Sequence, residues 1–224
     1  MSEFINTIDI LGDEAVTDSI IDRSITEFND DVITVIGTSA FQGCAALVEA
    51  RCPEVASIGS GAFENCTSMT SANYPKATQV ASNAFDWCSN LREVCIGIRE
   101  IGRYASMFRG CSLNKLVLPA VTTVGYYAFR DAHIKIIDYW VVERIDNITS
   151  TLSAIDHIVL RKTDGVCVRD NSSDNTSTLI YVPSALIEDY KTATNWSANA
   201  DQLRVLEDYT VDGTITGELD ETKI

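Results

Sequence analysis

Three segments of the chain, IGTSAFQGCAAL at 36–47, IGSGAFENCTSM at 58–69 and VASNAFDWCSNL at 80–91, align without a gap at a spacing of 22 residues. A fourth copy, IGRYASMFRGCSL at 101–113, gains two residues before Phe108 and loses one after Cys111. A fifth, VGYYAFRDAHI at 124–134, has Ala132 where cysteine stood. Self-similarity at a period of about 20–50 residues marks a stacked architecture. A unit this short has no second layer of its own against which to bury an apolar side, so successive units must stack and share one core.

The repeat also says which side chains form that core. Phe41, Phe63, Phe85, Phe108 and Phe129 recur once per unit and build a phenylalanine ladder. The spacing apolar, two residues, apolar, one residue, apolar gives the second half of each unit strand character. It runs through Leu91, Val94, Ile96, then Leu113, Leu116, Leu118, then Ile134, Ile137, Tyr139, and then Ile155, Ile158, Leu160. Pro53, Pro75, Pro119 and Pro183 follow such runs, and proline ends a strand because it has no N–H to give. A unit therefore reads as a strand, a proline turn, a short extended stretch such as 121–124, a glycine turn and a short helical turn carrying Ala-Phe and Cys. Cys44, Cys66, Cys88 and Cys111 recur at intervals of 22, 22 and 23 residues. That is the repeat period, and with an odd total of seven cysteines it favours buried free thiols over a disulfide framework.

The motif I-G-x-x-A-F-x-x-C-x-x-L followed by L-x-L-P resembles the BspA-like class of leucine-rich repeats, across roughly residues 20–183. The resemblance implies a leucine-rich-repeat solenoid, with parallel β-strands on one face, short helical turns on the other, and a cap at each end. It also implies a non-enzymatic module that binds a protein or glycan partner in adhesion or surface recognition. The expected organisation is an N-terminal cap over 1–31, repeats over 32–161, a polar insertion with a last repeat-like strand over 162–183, and a capping helix with an acidic tail over 184–224. A sixth copy is degenerate, with Ser150 and Ser153 near the Phe and Cys positions. The stretch D-R-S-I-T at 22–26 resembles the opening of some phage-encoded repeat proteins, so a virion or prophage component, structural or receptor-binding, stands as the second reading.

A formal net charge of −15 argues against nucleic acid or anionic membrane surfaces as partners, since both require a basic field. No run approaches the roughly 18–20 apolar residues of a membrane span. The opening residues, with Glu3, Asp9, Asp13 and Glu14, lack the basic start and apolar stretch of a secretory signal. The expectation is a cytoplasmic or virion-associated chain unless it is exported by another route or truncated. The acidic tail after Asp208 is suited to fray or to pair with another chain, which leaves a homo-oligomer open.

Chemistry has little support in the sequence. His133 and His157 sit in different repeats, without metal-ligand spacing. No phosphate-binding loop or nucleophile elbow occurs. DNSSDN at 170–175 lacks the glycine and glutamate of a calcium loop. Cys95, at an outward strand position, is the most reactive thiol on offer. No catalytic, cofactor-binding or metal-ligating residue is therefore expected. The candidate ligand surface is the outward side of the strands, formed by Glu49, Arg51, Ser71, Asn73, Glu93, Lys115, Asp138 and His157. Val117, Ile136 and Val159 are interspersed among them. Trp87, Tyr104, Tyr126 and Tyr127, in or beside the turns, are candidate aromatic contacts. Trp140 and Trp196 are read as core or cap residues.

Overall fold

The computed structural model describes residues 15–16, 22–146, 154–170, 177–206, 210–211 and 214–215. Ile20, Ile21, Ser150, Ser153, most of the DNSSDN run and most of the acidic tail lie outside them. The chain winds as a parallel β-solenoid of about eight turns. Each turn contributes to a long-strand face, a short-strand face and a side made of turns.

The long face is a seven-stranded parallel sheet of Ser71–Tyr74, Glu93–Ile96, Ser112–Leu118, His133–Tyr139, Ala154–Leu160, Leu179–Val182 and Leu203–Val205. Glu27–Asn29 and Glu49–Arg51 pair beside it in the same sense, so the segment read as an N-terminal cap carries a strand in repeat register. Apolar residues of each strand point inward at the expected positions. Leu116 lies opposite both Val94 and Ile137, and all three are buried.

The short extended stretches form the second face as two four-stranded parallel sheets. One holds Ala15–Val16, Val35–Ile36, Ser57–Ile58 and Gln79–Val80; the other holds Glu100–Ile101, Thr123–Val124, Arg144–Ile145 and Val168–Arg169. Pairing is interrupted between Gln79–Val80 and Glu100–Ile101.

The third side takes the place of the anticipated helical turns with tight hydrogen-bonded turns. Cys44 N–H donates to Phe41 O at 3.0 Å, and Leu47 N–H to Cys44 O at 3.0 Å, but no run of helix follows. The reason is a left-handed residue just before each cysteine position: Gly43 (φ 74°), Asn65 (φ 62°), Trp87 (φ 60°), Gly110 (φ 74°) and Asp131 (φ 60°). Glycine, asparagine and aspartate tolerate that conformation best, and any residue adopting it ends a right-handed helix. The freed backbone groups bond along the solenoid axis instead. Phe41 N–H donates to Ala62 O at 2.7 Å, Gly43 N–H to Glu64 O at 2.8 Å and Asn65 N–H to Asp86 O at 2.9 Å.

Inside the three sides the phenylalanine ladder is a continuous stack. Phe41, Phe63, Phe85 and Phe108 follow one another at centroid distances of 5.1, 5.3 and 5.6 Å, with Phe28 edge-on to Phe41 at 5.0 Å. Burying each ring stabilises the fold by about 1.5–3 kcal/mol, and each ring pair adds about 0.5–1.5 kcal/mol.

None of the seven cysteines is joined in a disulfide, and the ladder thiols are more than small hydrophobes. Cys66 Sγ donates to Phe41 O at 3.1 Å, Cys88 Sγ to Phe63 O at 3.0 Å and Cys111 Sγ to Phe85 O at 3.1 Å. Each thiol thus ties its turn to the preceding one at the carbonyl of the stacked phenylalanine. Burial pushes the Cys66 and Cys111 thiols up to about 12 and raises Cys88 as well.

Helix Ile187–Thr192 and the 3-10 segment Ser197–Gln202 cover the last turn with Tyr190 and Trp196. Cys167 N–H donates to Tyr190 Oη at 3.0 Å, and Asn195 Nδ2 donates to Arg169 O at 2.7 Å. Side chains of the cap thereby occupy rungs that a further turn of backbone would fill, which blunts the sheet edge.

Candidate interaction surfaces

Parallel register places the outward side chains of the long face in two rows along the solenoid. The first runs Glu27, Glu49, Ser71, Glu93, Lys115, Ile136, His157 and Leu179; the second runs Asn29, Arg51, Asn73, Cys95, Val117, Asp138, Val159, Tyr181 and Arg204. Paired register fixes the neighbours throughout each row except at the step from 49–51 to 71–73, where the repeat period gives the alignment.

The rows divide into two halves of different character. Glu49, Arg51, Asn73 and Glu93 are exposed, with Ser71 and Lys115 half-buried. Arg51 Nη1 lies 3.2 Å from Asp31 Oδ1, an exposed pair of little energetic weight. In the other half, Ile136 and Val159 are buried and form a small cluster with Tyr181 and Leu206 outside the main core. Asp138 points outward, as its register requires, yet is only 1% exposed. Both of its oxygens accept from Arg161, at 2.7 and 3.0 Å, so this carboxylate serves a paired, covered site rather than an open surface. His157 is half-buried beside Tyr181 at a ring distance of 5.7 Å, and burial lowers its pKa. Cys95 is half-buried and burial pushes its thiol up to about 11, opposite in direction to the lowered pKa of a reactive cysteine.

The aromatic candidates sit on the turn side. Trp87 is 47% exposed and Tyr104 is 55% exposed. Tyr104 meets Tyr126 edge-on at 5.9 Å and Tyr127 at 5.6 Å, while Tyr126 and Tyr127 lie 3.9 Å apart. A hydrogen bond to Tyr127 raises the Tyr126 pKa. Tyr104 N–H also donates to Tyr126 O at 2.9 Å, so the backbone rung holds the cluster together.

The backbone under these rings is strained. Tyr104 (φ 58°) and Tyr127 (φ 56°) occupy the turn position that Ser39, Gly61 and Asn83 fill in earlier units. Trp87 takes the left-handed position that Gly43, Asn65 and Gly110 fill elsewhere. A bulky residue there costs roughly 1–2 kcal/mol. Trp87 lies across Gly110: a Cβ at Gly110 would stand 2.3 Å from Trp87 Cε3. The Arg109 guanidinium sits 5.7 Å from the Trp87 ring centroid and 3.2 Å from the carboxylate of buried Asp86. Periodicity had pointed to neither Asp86 nor Arg109, because their column is filled by Gln42, Glu64 and Arg130 in other turns.

Among the described residues there is no group of three or more His, Cys, Asp or Glu side chains able to hold a metal ion. No helix there is long and apolar enough to cross a membrane.

The BspA type leucine rich repeat region matches in six copies over residues 17–136, more than half of the chain. The chain belongs to the BspA-type leucine-rich repeat family. Among solved structures, this BspA-type chain is similar to a leucine-rich repeat protein from Bacteroides ovatus ATCC 8483, at 14% identity and a TM-score of 0.35, covering 74% of this chain and 65% of that one. It is also similar to the pneumococcal vaccine antigen PcpA, at 14% identity and a TM-score of 0.36, covering 82% of this chain and 67% of that one. The BspA-type chain thus spans slightly less than two thirds of the length of the first structure. No curated protein matches it.

Proposed function

We propose that this BspA-type solenoid is a non-catalytic recognition module whose tyrosine corner, Tyr104, Tyr126 and Tyr127, together with Trp87 on an earlier turn, contacts a protein or glycan partner in adhesion or surface recognition. A single observation carries the reading: the exposed rings of Trp87 and Tyr104 and the half-buried ring of Tyr127 stand at left-handed backbone positions that smaller residues, glycine among them, fill in other turns. The fold has no need of that strain, and strain retained at a surface points to a use for the side chain. Tyrosine and tryptophan give large rigid contact areas with few rotors to freeze, and both suit protein hot spots and sugar faces. The polar half of the long face, from Glu49 to Lys115, is the second candidate surface.

Protein and glycan arrays probed with three forms of the chain test this reading. They are the wild type, a Tyr104→Gly/Tyr127→Gly variant that keeps the turn conformation, and an Arg51→Ala/Lys115→Ala variant. Binding lost in the tyrosine variant and kept in the other supports the corner. Loss only with Arg51 and Lys115 moves the site to the long face, and binding unchanged by either double substitution removes both surfaces.

A further inference from the structure

The interruption of the short face has a local cause in the sequence. From the last inward residue of the long strand to the first inward residue of the connector, other units count three residues: Cys52 to Val55, Tyr74 to Ala77, Leu118 to Val121 and Tyr139 to Val142. Ile96 to Ile98 counts two. One residue is missing at this corner, and Gly97 stands where neighbouring units have Pro75 and Pro119. The corner is pulled so close to the preceding turn that a Cβ on Gly97 would lie 1.9 Å from Pro75 O. Ile98 and Ile101 still reach the core. The short strand 100–101 therefore sits out of step with 79–80, while the long face stays paired through Ser71↔Glu93 and Tyr74↔Ile96.

The backbone rungs between strands 79–80 and 100–101 are lost as a result. On the lower side of the fault, Thr78 N–H and Ala81 N–H donate to Ala56 O and Ile58 O at 3.0 and 2.9 Å. On the upper side, Thr122 N–H and Gly125 N–H donate to Arg99 O and Ile101 O at 2.9 and 2.7 Å. Between them, the Thr78 carbonyl, the Val80 N–H and carbonyl, the Glu100 N–H and carbonyl and the Gly102 N–H have no partner among the described residues. A cleft of about 440 Å³ opens at this place, floored by Ile58, Val80 and Ile98 and rimmed by hydroxyls including Ser57 and Thr78. Its lining contains no aromatic ring, which disfavours a sugar face.

We infer that this cleft takes a short extended peptide of a partner protein, whose backbone amides bridge the fault by pairing with the Thr78 and Val80 edge on one side and the Glu100 and Gly102 edge on the other. The match is one of valence and spacing. Each lip alternates donors and acceptors along an extended strand edge, O–N–O through Thr78 and Val80 and N–O–N through Glu100 and Gly102, and an extended chain offers the complement to both. The apolar floor suits small side chains or the methyl groups of an alanine-rich segment.

The full chain, labelled for amide NMR, is titrated with acetyl-trialanine methylamide, with the depsipeptide in which the central amide is an ester, and with N-acetylglucosamine. Saturable shifts at Glu100 and Gly102 are expected with the peptide. Affinity roughly fivefold lower is expected for the ester, as for one lost hydrogen bond. No shift at these two positions, equal affinity for the ester, or a response to the sugar alone overturns the inference. Restoring the missing residue, by Gly97→Pro with a lysine inserted after it, should close the ladder, protect the Glu100 and Gly102 amides from exchange and abolish the peptide response. Should that chain fail to fold, Ala81→Leu, which fills the rim, takes its place, and peptide binding undiminished in whichever variant folds equally overturns it.

Discussion

The indole N–H of Trp196 donates to the carbonyl of Cys167 at 2.7 Å, where the backbone of a further turn would otherwise bond. Beneath it the Arg169 guanidinium, buried and lowered by that burial to about 10, lies 4.8 Å from the Trp196 ring centroid and donates to Asn199 Oδ1 at 2.7 Å. Trp196→Phe keeps most of the ring volume and removes only the donor, leaving a buried carbonyl unpaired. A loss of about 1–2 kcal/mol in urea denaturation is expected, with faster amide exchange confined to the last turns. Unchanged exchange at Val168 and Asp170 would show that the cap acts without this bond.

Removing one ring from the phenylalanine stack does more than destabilise. Phe85→Ala should cost about 3–5 kcal/mol. Because turns interact with their nearest neighbours, it should also weaken the coupling between the two halves and broaden the unfolding transition. Cys88→Ala, which loses a small buried group and its bond to Phe63 O, should cost about 1–2 kcal/mol with the transition still sharp. Equal broadening in both variants would assign the coupling to the backbone rungs rather than to the rings.

Gly110→Ala should be severe for an alanine substitution. It combines a φ of 74° with a Cβ driven into Trp87. A loss of about 2–3 kcal/mol is expected, with a shift in Trp87 fluorescence as the ring is displaced. Gly102→Ala, with open space around its Cβ position, is the matched control.

Tyr104→Gly should raise stability by about 1 kcal/mol, since it relieves the left-handed strain and removes little buried surface. Chemical denaturation of the two chains measures this directly. A clear loss instead would mean that the ring belongs to the fold rather than to a partner.

Stability should also fall with acid in a defined window. The folded-state pKa of His157 lies below its ordinary value of 6.5, with burial the chief cause, so the unfolded chain takes up the proton first. The stabilising difference is present above about 6.5 and is lost as the pH falls from there toward the folded value. Urea midpoints compared on either side of this window should decline in the wild type and decline less in His157→Gln.

The parts of this architecture that recur once per turn were legible in the amino-acid sequence. The Phe and Cys columns and the inward positions of the long strands follow from period and polarity. What the period could not carry lies in departures from it. Asp138 sits at an outward position, and only its meeting with Arg161, 23 residues later, shows that the position is covered. The Ala-Phe and Cys segment reads as a short helical turn, yet residues such as Gly43 and Asn65 impose left-handed backbone there. Trp87, Tyr104 and Tyr127 follow them into that conformation against their own preference, which no propensity argument would foresee.

The one-residue shortening at Gly97 has a consequence of a different kind. In a crystal it would be called a stacking fault: the layers on either side are intact, and only their phase differs along one face. Insertions or deletions of a whole turn preserve phase and leave such a face seamless, whereas a change of one residue exposes main chain. Recognition built on main-chain atoms is indifferent to most point substitutions and acutely sensitive to chain length. Among homologous solenoids, variation in the length of this corner rather than in its residue types should therefore mark which members retain the cleft.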